Sequence, residues 1–236
     1  MMATVRTPGL RAGPDPAQAP LRMAVPKGAL FDESVALLVA AGVPVGGLAD
    51  PGRQLIVSAP GIEYIIGKPT DIPAYVAYGA ADVAIAGKDV LIESALDVVE
   101  MVDLRFGRCR FVVAEPEDAG DSVADTYRHL GVIRVATKYP RIAELHYAAK
   151  GVQIEIVKLH GNIELAPLIG LADQIVDITA TGTTLRMNRL RIVEDVLPST
   201  ARFVANPVAL RCDADRVTDL ADRLARAAEK MGEQPR

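Results

Sequence analysis

The chain has little from which to build a disulfide framework or a metal centre, with two cysteines and three histidines in 236 residues. Cys109 and Cys212 lie far apart and outside any C-x-x-C or Cys/His zinc spacing, so they read as small buried apolar residues. A chain of this size can bury roughly 70% or more of its unfolded surface and needs neither a disulfide nor a metal to hold its fold. His129 and His146 fall in helical stretches and His160 follows a strand, with no pair at metal-ligand spacing. A basic excess is also missing: 26 Lys and Arg face 30 Asp and Glu, a formal charge of -4. That balance argues against a general nucleic-acid or acidic-membrane binder. Charged residues break every apolar run well before the roughly 20 residues of a membrane helix, so no membrane partner is expected. Residues 1–20, MMATVRTPGLRAGPDPAQAP, lack the apolar core of an export signal and are expected to form a flexible leader on a cytoplasmic protein.

From Leu21 onward, short β-branched runs alternate with amphipathic stretches, the pattern of an α/β fold with helices on both faces of a parallel sheet. Strands are expected at 21–25, 54–58, 83–86, 98–102, 111–114, 133–136, 154–158, 175–178, 190–196 and 202–205. Phe31, Val35, Leu38 and Val39 make the apolar face of a helix that stops at Gly42, with Asp32 and Glu33 at its positive end. Pro73 and Pro140 each open a helix, ending at Gly79 and Gly151, and a last helix runs from Asp213 to about Lys230. No internal repeat is evident. Two strands without an intervening helix at residues 98–114 suggest a passage from one lobe into another, and the strands at 190–205 suggest the return. The expected division is a first lobe of residues 21–103 plus 199–230, a second of 104–198, and a tail of 231–236. A cleft would lie between the lobes.

Chemistry concentrates in Asp177-Ile-Thr-Ala-Thr-Gly-Thr-Thr-Leu185, after an apolar strand and before a short helical stretch. Strand, loop and helix form the usual setting of a phosphate site. Thr179, Thr181, Thr183 and Thr184 offer hydroxyls, and Gly182 lets successive amides converge on one anion. A side chain at Gly182 would be expected to take the anion's place. Asp177, at the strand end, can accept hydrogen bonds from the vicinal hydroxyls of a ribose whose phosphate lies in the loop.

Glu164, Gly170, Ala172, Ile175, Asp177, Ile178, Thr181, Gly182, Thr184 and Leu185 fit, position for position, the signature E-x5-G-x-[SAG]-x2-[IV]-x-D-[LIV]-x2-[ST]-G-x-T-[LM]. On these residues the chain resembles the ATP phosphoribosyltransferases. Val25-Pro-Lys-Gly28, Gly52-Arg-Gln-Leu55, Asp71-Ile-Pro73, Gly79-Ala-Ala-Asp82, Gly87-Lys-Asp-Val-Leu91, Ala136-Thr-Lys-Tyr139 and Leu159-His-Gly161 agree, so the resemblance covers about residues 21 to 228.

The resemblance implies a two-lobed fold similar to type II periplasmic binding proteins. It also implies condensation of ATP, through N1 of adenine, with phosphoribosyl pyrophosphate, the first step of histidine biosynthesis. With no room after the last helix for a C-terminal histidine-binding domain, the chain looks like the short form. That form works with a separate regulatory subunit resembling histidyl-tRNA synthetase, and a homodimer of the catalytic chain is expected. Mg²⁺ would arrive bound to substrate, with no protein ligand assigned to it.

By the same resemblance, Asp177, Thr179, Ala180, Thr181, Gly182, Thr183, Thr184 and Glu164 would bind phosphoribosyl pyrophosphate, and Lys68 and Asp89 would bind ATP. Lys27 and Arg53 are the candidates for neutralising the departing pyrophosphate, both beside glycine at a strand edge. Many family members carry Arg where this chain has Ala29, so Lys27, Arg53 or Lys88 would have to supply that charge. Asp71 reads mainly as a helix cap, and Tyr75 with Tyr78 as one packed face. The alternative is a bilobal module that binds a small molecule without chemistry. The threonine loop speaks for the enzyme.

Overall fold

The computed structural model describes residues 19–120 and 122–233. Most of the expected leader and the last three residues of the tail lie outside them.

Among the described residues, eleven strands form two sheets. In the first, β1 (Leu21–Pro26) is flanked in parallel by β3 (Ile62–Gly67) and β4 (Val83–Gly87). β2 (Ile56–Ala59) adds antiparallel to β3, β11 (Ala201–Ala205) antiparallel to β4, and β5 (Val99–Asp103) to β11, giving the order β2-β3-β1-β4-β11-β5. In the second, β7 (Ile133–Thr137) is flanked in parallel by β8 (Ile154–Lys158) and β9 (Gln174–Thr179). There β6 (Cys109–Pro116) runs antiparallel to β9, and β10 (Leu190–Ser199) to β6.

The sheets are therefore mixed, not parallel as expected, because the hairpin strand β2 and the strands next to the crossings, β11 in the first sheet and β6 in the second, insert antiparallel. β3 also escaped the strand pattern. Ala59 faces Ile62 across the two-residue link Pro60-Gly61, with Gly61 at φ +76°. A Pro-Gly pair between apolar runs is the hairpin signal that would have found it.

The helices are α1 (Phe31–Ala40), α2 (Ile72–Ala77), α3 (Lys88–Ser94), α4 (Ser122–Leu130), α5 (Pro140–Ala149), α6 (Leu165–Leu168), α7 (Thr183–Met187), α8 (Pro207–Cys212) and α9 (Ala214–Glu233). They cover both faces of each sheet. Strand alternation divides the first core accordingly: Met23 and Val25 pack with Leu37, Leu220 and Leu224 of α1 and α9, while Ala24 packs with Ile72, Val76 and Leu91 of α2 and α3. In the second sheet, Phe111, Val113 and Val135 meet Ile142 and Tyr147 of α5, while Val112, Ala114 and Ala136 meet Ala166 and Leu185 of α6 and α7.

A repeat invisible to sequence periodicity emerges. β1-α1-β3-α2-β4-α3 and β7-α5-β8-α6-β9-α7 follow one path, each with its first strand between the other two. Each half closes with the same clamp. Arg22 donates its amide and guanidinium to Asp82 (2.8 and 2.7 Å) and also reaches the Gly79 carbonyl. Arg134 does the same to Asp173 (2.8 and 2.9 Å) and to Gly170. Both aspartates end a G-x-x-D sequence immediately before the parallel partner strand.

The chain passes between sheets at residues 104–108 and returns at Thr200. Gly107 sits on the first passage at φ +63°, where a Cβ would fall 2.1 Å from Leu30 Cδ2. The passage is thus pressed against the start of α1, in a conformation that glycine adopts without strain. Among the described residues no helix is long and apolar enough to cross a membrane.

Candidate active site

A cleft of about 690 Å³ opens between the two sheets, lined from both. Ala29, Lys68 and Asp89 come from the ends of β1, β3 and β4; Lys138, Tyr139, Thr179 and Ala180 come from the ends of β7 and β9. Arg108, Cys109, Ser199 and Thr200, on the two passages, close the back. The repeat explains the arrangement: in each half, loops at the carboxyl ends of parallel strands turn toward the same gap, as ligand loops do in open α/β sheets.

The threonine loop follows β9 into this gap. Thr179 Oγ1 accepts the Gly182 amide at 2.8 Å, folding the loop back on its strand. Gly182 holds φ +72° as α7 begins. Its missing Cβ would point at Ile192 Cδ1, 3.2 Å away. A larger residue would therefore strain the backbone and press on the second core, and would not fill the anion's place as expected. The hydroxyls of Thr181 and Thr183 lie 2.9 Å apart, and the Thr183 amide faces Thr181 Oγ1 at 3.4 Å. Arg186 bridges them, donating to the Thr181 carbonyl and to Thr183 Oγ1, both at 3.2 Å. Thr179 and Ala180 line the cleft itself, while Thr181, Thr183 and Thr184 are exposed beyond that lining.

Asp177 is half-buried behind the loop, one oxygen accepting the Ile178 amide at 2.8 Å. Burial raises its carboxyl to about 6, with the negative charge of Glu164 adding to the rise and the Ile178 amide and Lys138 opposing it. Asp177 and Glu164 therefore feel one another, with Lys138 as counter-charge. Glu164 stands at the cap position of α6 with helical backbone angles and makes no side-chain cap there.

Lys27 and Arg53 do not line the main cleft. They line a second cavity of about 230 Å³ with Gly28 and Asp32. The two spaces flank one loop, Lys27 and Gly28 facing the smaller, Ala29 and Leu30 the larger. Lys88 lines neither of these two cavities and is ion-paired to Glu100. The cations on the main cleft are Lys68, Arg108 and Lys138. Lys138 could have been found from its place directly after an apolar strand in Ala136-Thr-Lys-Tyr139; Arg108 lies on a passage whose direction no periodicity reveals. Arg186, one turn beyond the loop, was also missed.

Asp89 is the second residue of α3, and its amide and one carboxylate oxygen both meet Ser199 Oγ at 3.1 Å. Other expectations change. Asp71 gives α2 no side-chain cap and instead accepts from Thr70 Oγ1 at 3.2 Å, because a 3-10 turn at Pro69–Asp71 precedes the helix. Tyr75 packs against the core, but Tyr78 at the helix end is 80% exposed. Neither cysteine is fully buried: Cys109 is half-buried on the cleft and Cys212 is exposed.

The profile of the ATP phosphoribosyltransferase family matches residues 68–226. An ATP phosphoribosyltransferase of Moorella thermoacetica is 50% identical over 218 residues, covering 91% of this chain and 96% of the relative. One from Rubrobacter xylanophilus is 46% identical, covering 90% and 98%. Among solved structures, the ATP phosphoribosyl transferase (HisG:HisZ) complex from Thermotoga maritima contains a chain that is 31% identical at TM-score 0.75, with 89% of this chain and 99% of that chain covered. The substrate-binding protein of an amino acid ABC transporter superposes at TM-score 0.54 with 13% identity, a likeness of fold alone. The architecture is accordingly the two-lobed one of type II periplasmic binding proteins.

Proposed function

The chain belongs to the ATP phosphoribosyltransferase family, and from that membership we propose that its interlobe cleft condenses ATP with phosphoribosyl pyrophosphate in the first step of histidine biosynthesis. The observation that carries the reading is the continuity of the threonine loop with a cleft whose other walls hold Lys68, Arg108 and Lys138. Two polyanions must be brought together there. In the reaction a bond forms between adenine N1 and C1 of the ribose, and the bond from C1 to pyrophosphate breaks, its electron pair leaving on the pyrophosphate oxygen. N1 is unprotonated at neutral pH, so positioning contributes more than proton transfer.

The amides and hydroxyls of 179–184 take the 5-phosphate, and Asp177 accepts from the ribose hydroxyls. The carboxylate's negative charge also suits the positive charge that develops on the sugar ring. Lys68 and Asp89 belong to the ATP side, with the Asp89 carboxylate held by Ser199. Lys27 and Arg53, in the adjoining cavity, take the departing pyrophosphate around the Lys27–Leu30 loop.

Enzymes of this family generally need a metal ion, and here we assign Mg²⁺ carried by substrate. Among the described residues no group of three or more His, Cys, Asp or Glu is arranged to hold a metal. Asp177 and Glu164 make an acidic pair at the ribose end, the donor set that Mg²⁺ shares with substrate phosphates. Bound there, the ion would neutralise charge on the pyrophosphate.

The first lobe (21–103 with 199–230) and the second lobe (104–198) close on the substrates, and the chain acts in the cytoplasm as a short-form catalytic subunit, as a homodimer. The Thermotoga maritima relative is a complex of HisG with HisZ. By likeness to it, the partner here is a regulatory subunit resembling histidyl-tRNA synthetase. The test is chromatographic detection of phosphoribosyl-ATP and pyrophosphate from purified chain, Mg²⁺ and both substrates, with and without such a subunit. Product formation that rises with the partner supports the reading. Tight substrate binding without product under both conditions returns the chain to the class of binding modules.

A further inference from the structure

α3 belongs to the first lobe but is fastened to the second. Glu93 Oε1 accepts the Arg141 amide at 3.2 Å and Oε2 the Ile142 amide at 3.1 Å. These are the second and third residues of α5, whose first residue, Pro140, has no amide hydrogen and whose cap residue, Tyr139, provides no side-chain cap. The first amides of a helix need partners from outside it, and a carboxylate there also meets the positive end of the helix dipole. Here the partner comes from the opposite lobe. Beside Glu93, Ile92 packs against the second-lobe core that contains Phe111, Tyr139 and Tyr147.

The residues directly before α5 face the cleft. Tyr139 donates its amide to Thr137 Oγ1 at 2.9 Å and stands edge-on to Phe111 with ring centroids 4.8 Å apart. Thr137 in turn donates to the Val176 carbonyl at 2.7 Å. Lys138, fixed between them, lines the cleft and carries the counter-charge felt by Asp177.

We propose that Glu93 is a positioning residue for phosphoribosyl transfer: by capping α5 from across the cleft it sets Lys138 and Tyr139 for reaction only while the lobes stand together. The proposal rests on the function given above. Asp177 and the threonine loop both lie in the second lobe, so the sugar donor can bind there without the latch. Bringing the ATP lobe onto it requires the latch. Opening would hand both α5 amides to water and release the strand-to-helix turn that holds Lys138.

Glu93→Ala and Glu93→Gln test this in the full chain, with the partner subunit present if activity requires it. The alanine variant is expected to lose between about 10- and 100-fold in kcat, the penalty of a misplaced cleft wall. Its affinity for phosphoribosyl pyrophosphate by calorimetry should stay within about twofold, since the helix cap lies outside that site. The glutamine variant retains one of two acceptor oxygens and should fall between alanine and wild type. Small-angle scattering with both substrates should give a larger radius of gyration for the alanine variant. Unchanged kcat and scattering overturn the proposal, as does an equal fall in kcat and donor affinity. If wild type makes no product, the function reading fails separately. The scattering comparison without substrates then decides the latch, an unchanged radius refuting it.

Discussion

Replacing Asp177 by Asn separates what this carboxylate costs the fold from what it gives the site. Burial lifts the carboxyl from 3.8 to about 6. A raised pKa means that the folded state prefers the protonated form. Its stabilising contribution is complete below about pH 4 and is lost as pH rises through about 6. At about 1.4 kcal/mol per pKa unit, keeping the side chain ionised at pH 7.5 costs the ligand-free protein up to about 3 kcal/mol. Asparagine is neutral throughout, and its oxygen can still accept the Ile178 amide. The variant should therefore melt higher than wild type at pH 7.5, by roughly 6–12 °C for a chain of this size. The difference should narrow as pH falls below about 6 and close only near pH 3, about one unit below the unfolded value of 3.8, where Asp177 is largely protonated in both folded and unfolded chains. Other carboxylates titrate over this range, but equally in both proteins, so the difference between paired melts isolates position 177. In calorimetry the same variant should bind phosphoribosyl pyrophosphate at least about tenfold more weakly, because a charged acceptor for the ribose hydroxyls is lost. A variant less stable at pH 7.5, or a gap that persists in acid, would refute the buried-charge argument. Unchanged donor affinity would remove Asp177 from the ribose.

Other substitutions probe separate parts of the site and its frame. Arg53→Ala should lower kcat more than it weakens ATP binding, since its charge is needed as pyrophosphate departs; equal losses in steady-state constants would count against that place for it. Gly182→Val should weaken phosphoribosyl pyrophosphate binding and cost about 1–3 kcal/mol in denaturant unfolding, through positive-φ strain and contact with Ile192. A fully stable variant with normal affinity would dismiss the loop. Gly107→Ala should lower the melting temperature, because its Cβ would fall 2.1 Å from Leu30 Cδ2. An unaltered melt would mean that the passage is not pressed on α1.

Local chemistry was legible along the chain, and long-range placement was not. The threonine loop could be read because strand, loop and helix are contiguous and the residue types state their purpose. β1, β7 and the helices opened by Pro73 and Pro140 were legible for the same reason. Strand direction was not, since β6 and β11 each join a sheet whose other members are distant in sequence. The Arg22–Asp82 and Arg134–Asp173 clamps span 60 and 39 residues, so the repeat they mark has no local period. Lys27 and Ala29 are two residues apart yet face different cavities, because the chain turns at Gly28, with φ +83°. Tyr75 and Tyr78 share a helical spacing, but α2 ends at Ala77 and leaves the second ring in water.

The central claim is that the loop from Thr179 to Thr184 grips the 5-phosphate of the sugar donor at the mouth of the interlobe cleft. A crystal structure with phosphoribosyl pyrophosphate and Mg²⁺ tests it most directly. The phosphate is expected against the amides and hydroxyls of residues 181–184, with the ribose hydroxyls on Asp177. Donor density confined to the cavity of Lys27 and Arg53, with the threonine loop untouched, would contradict it.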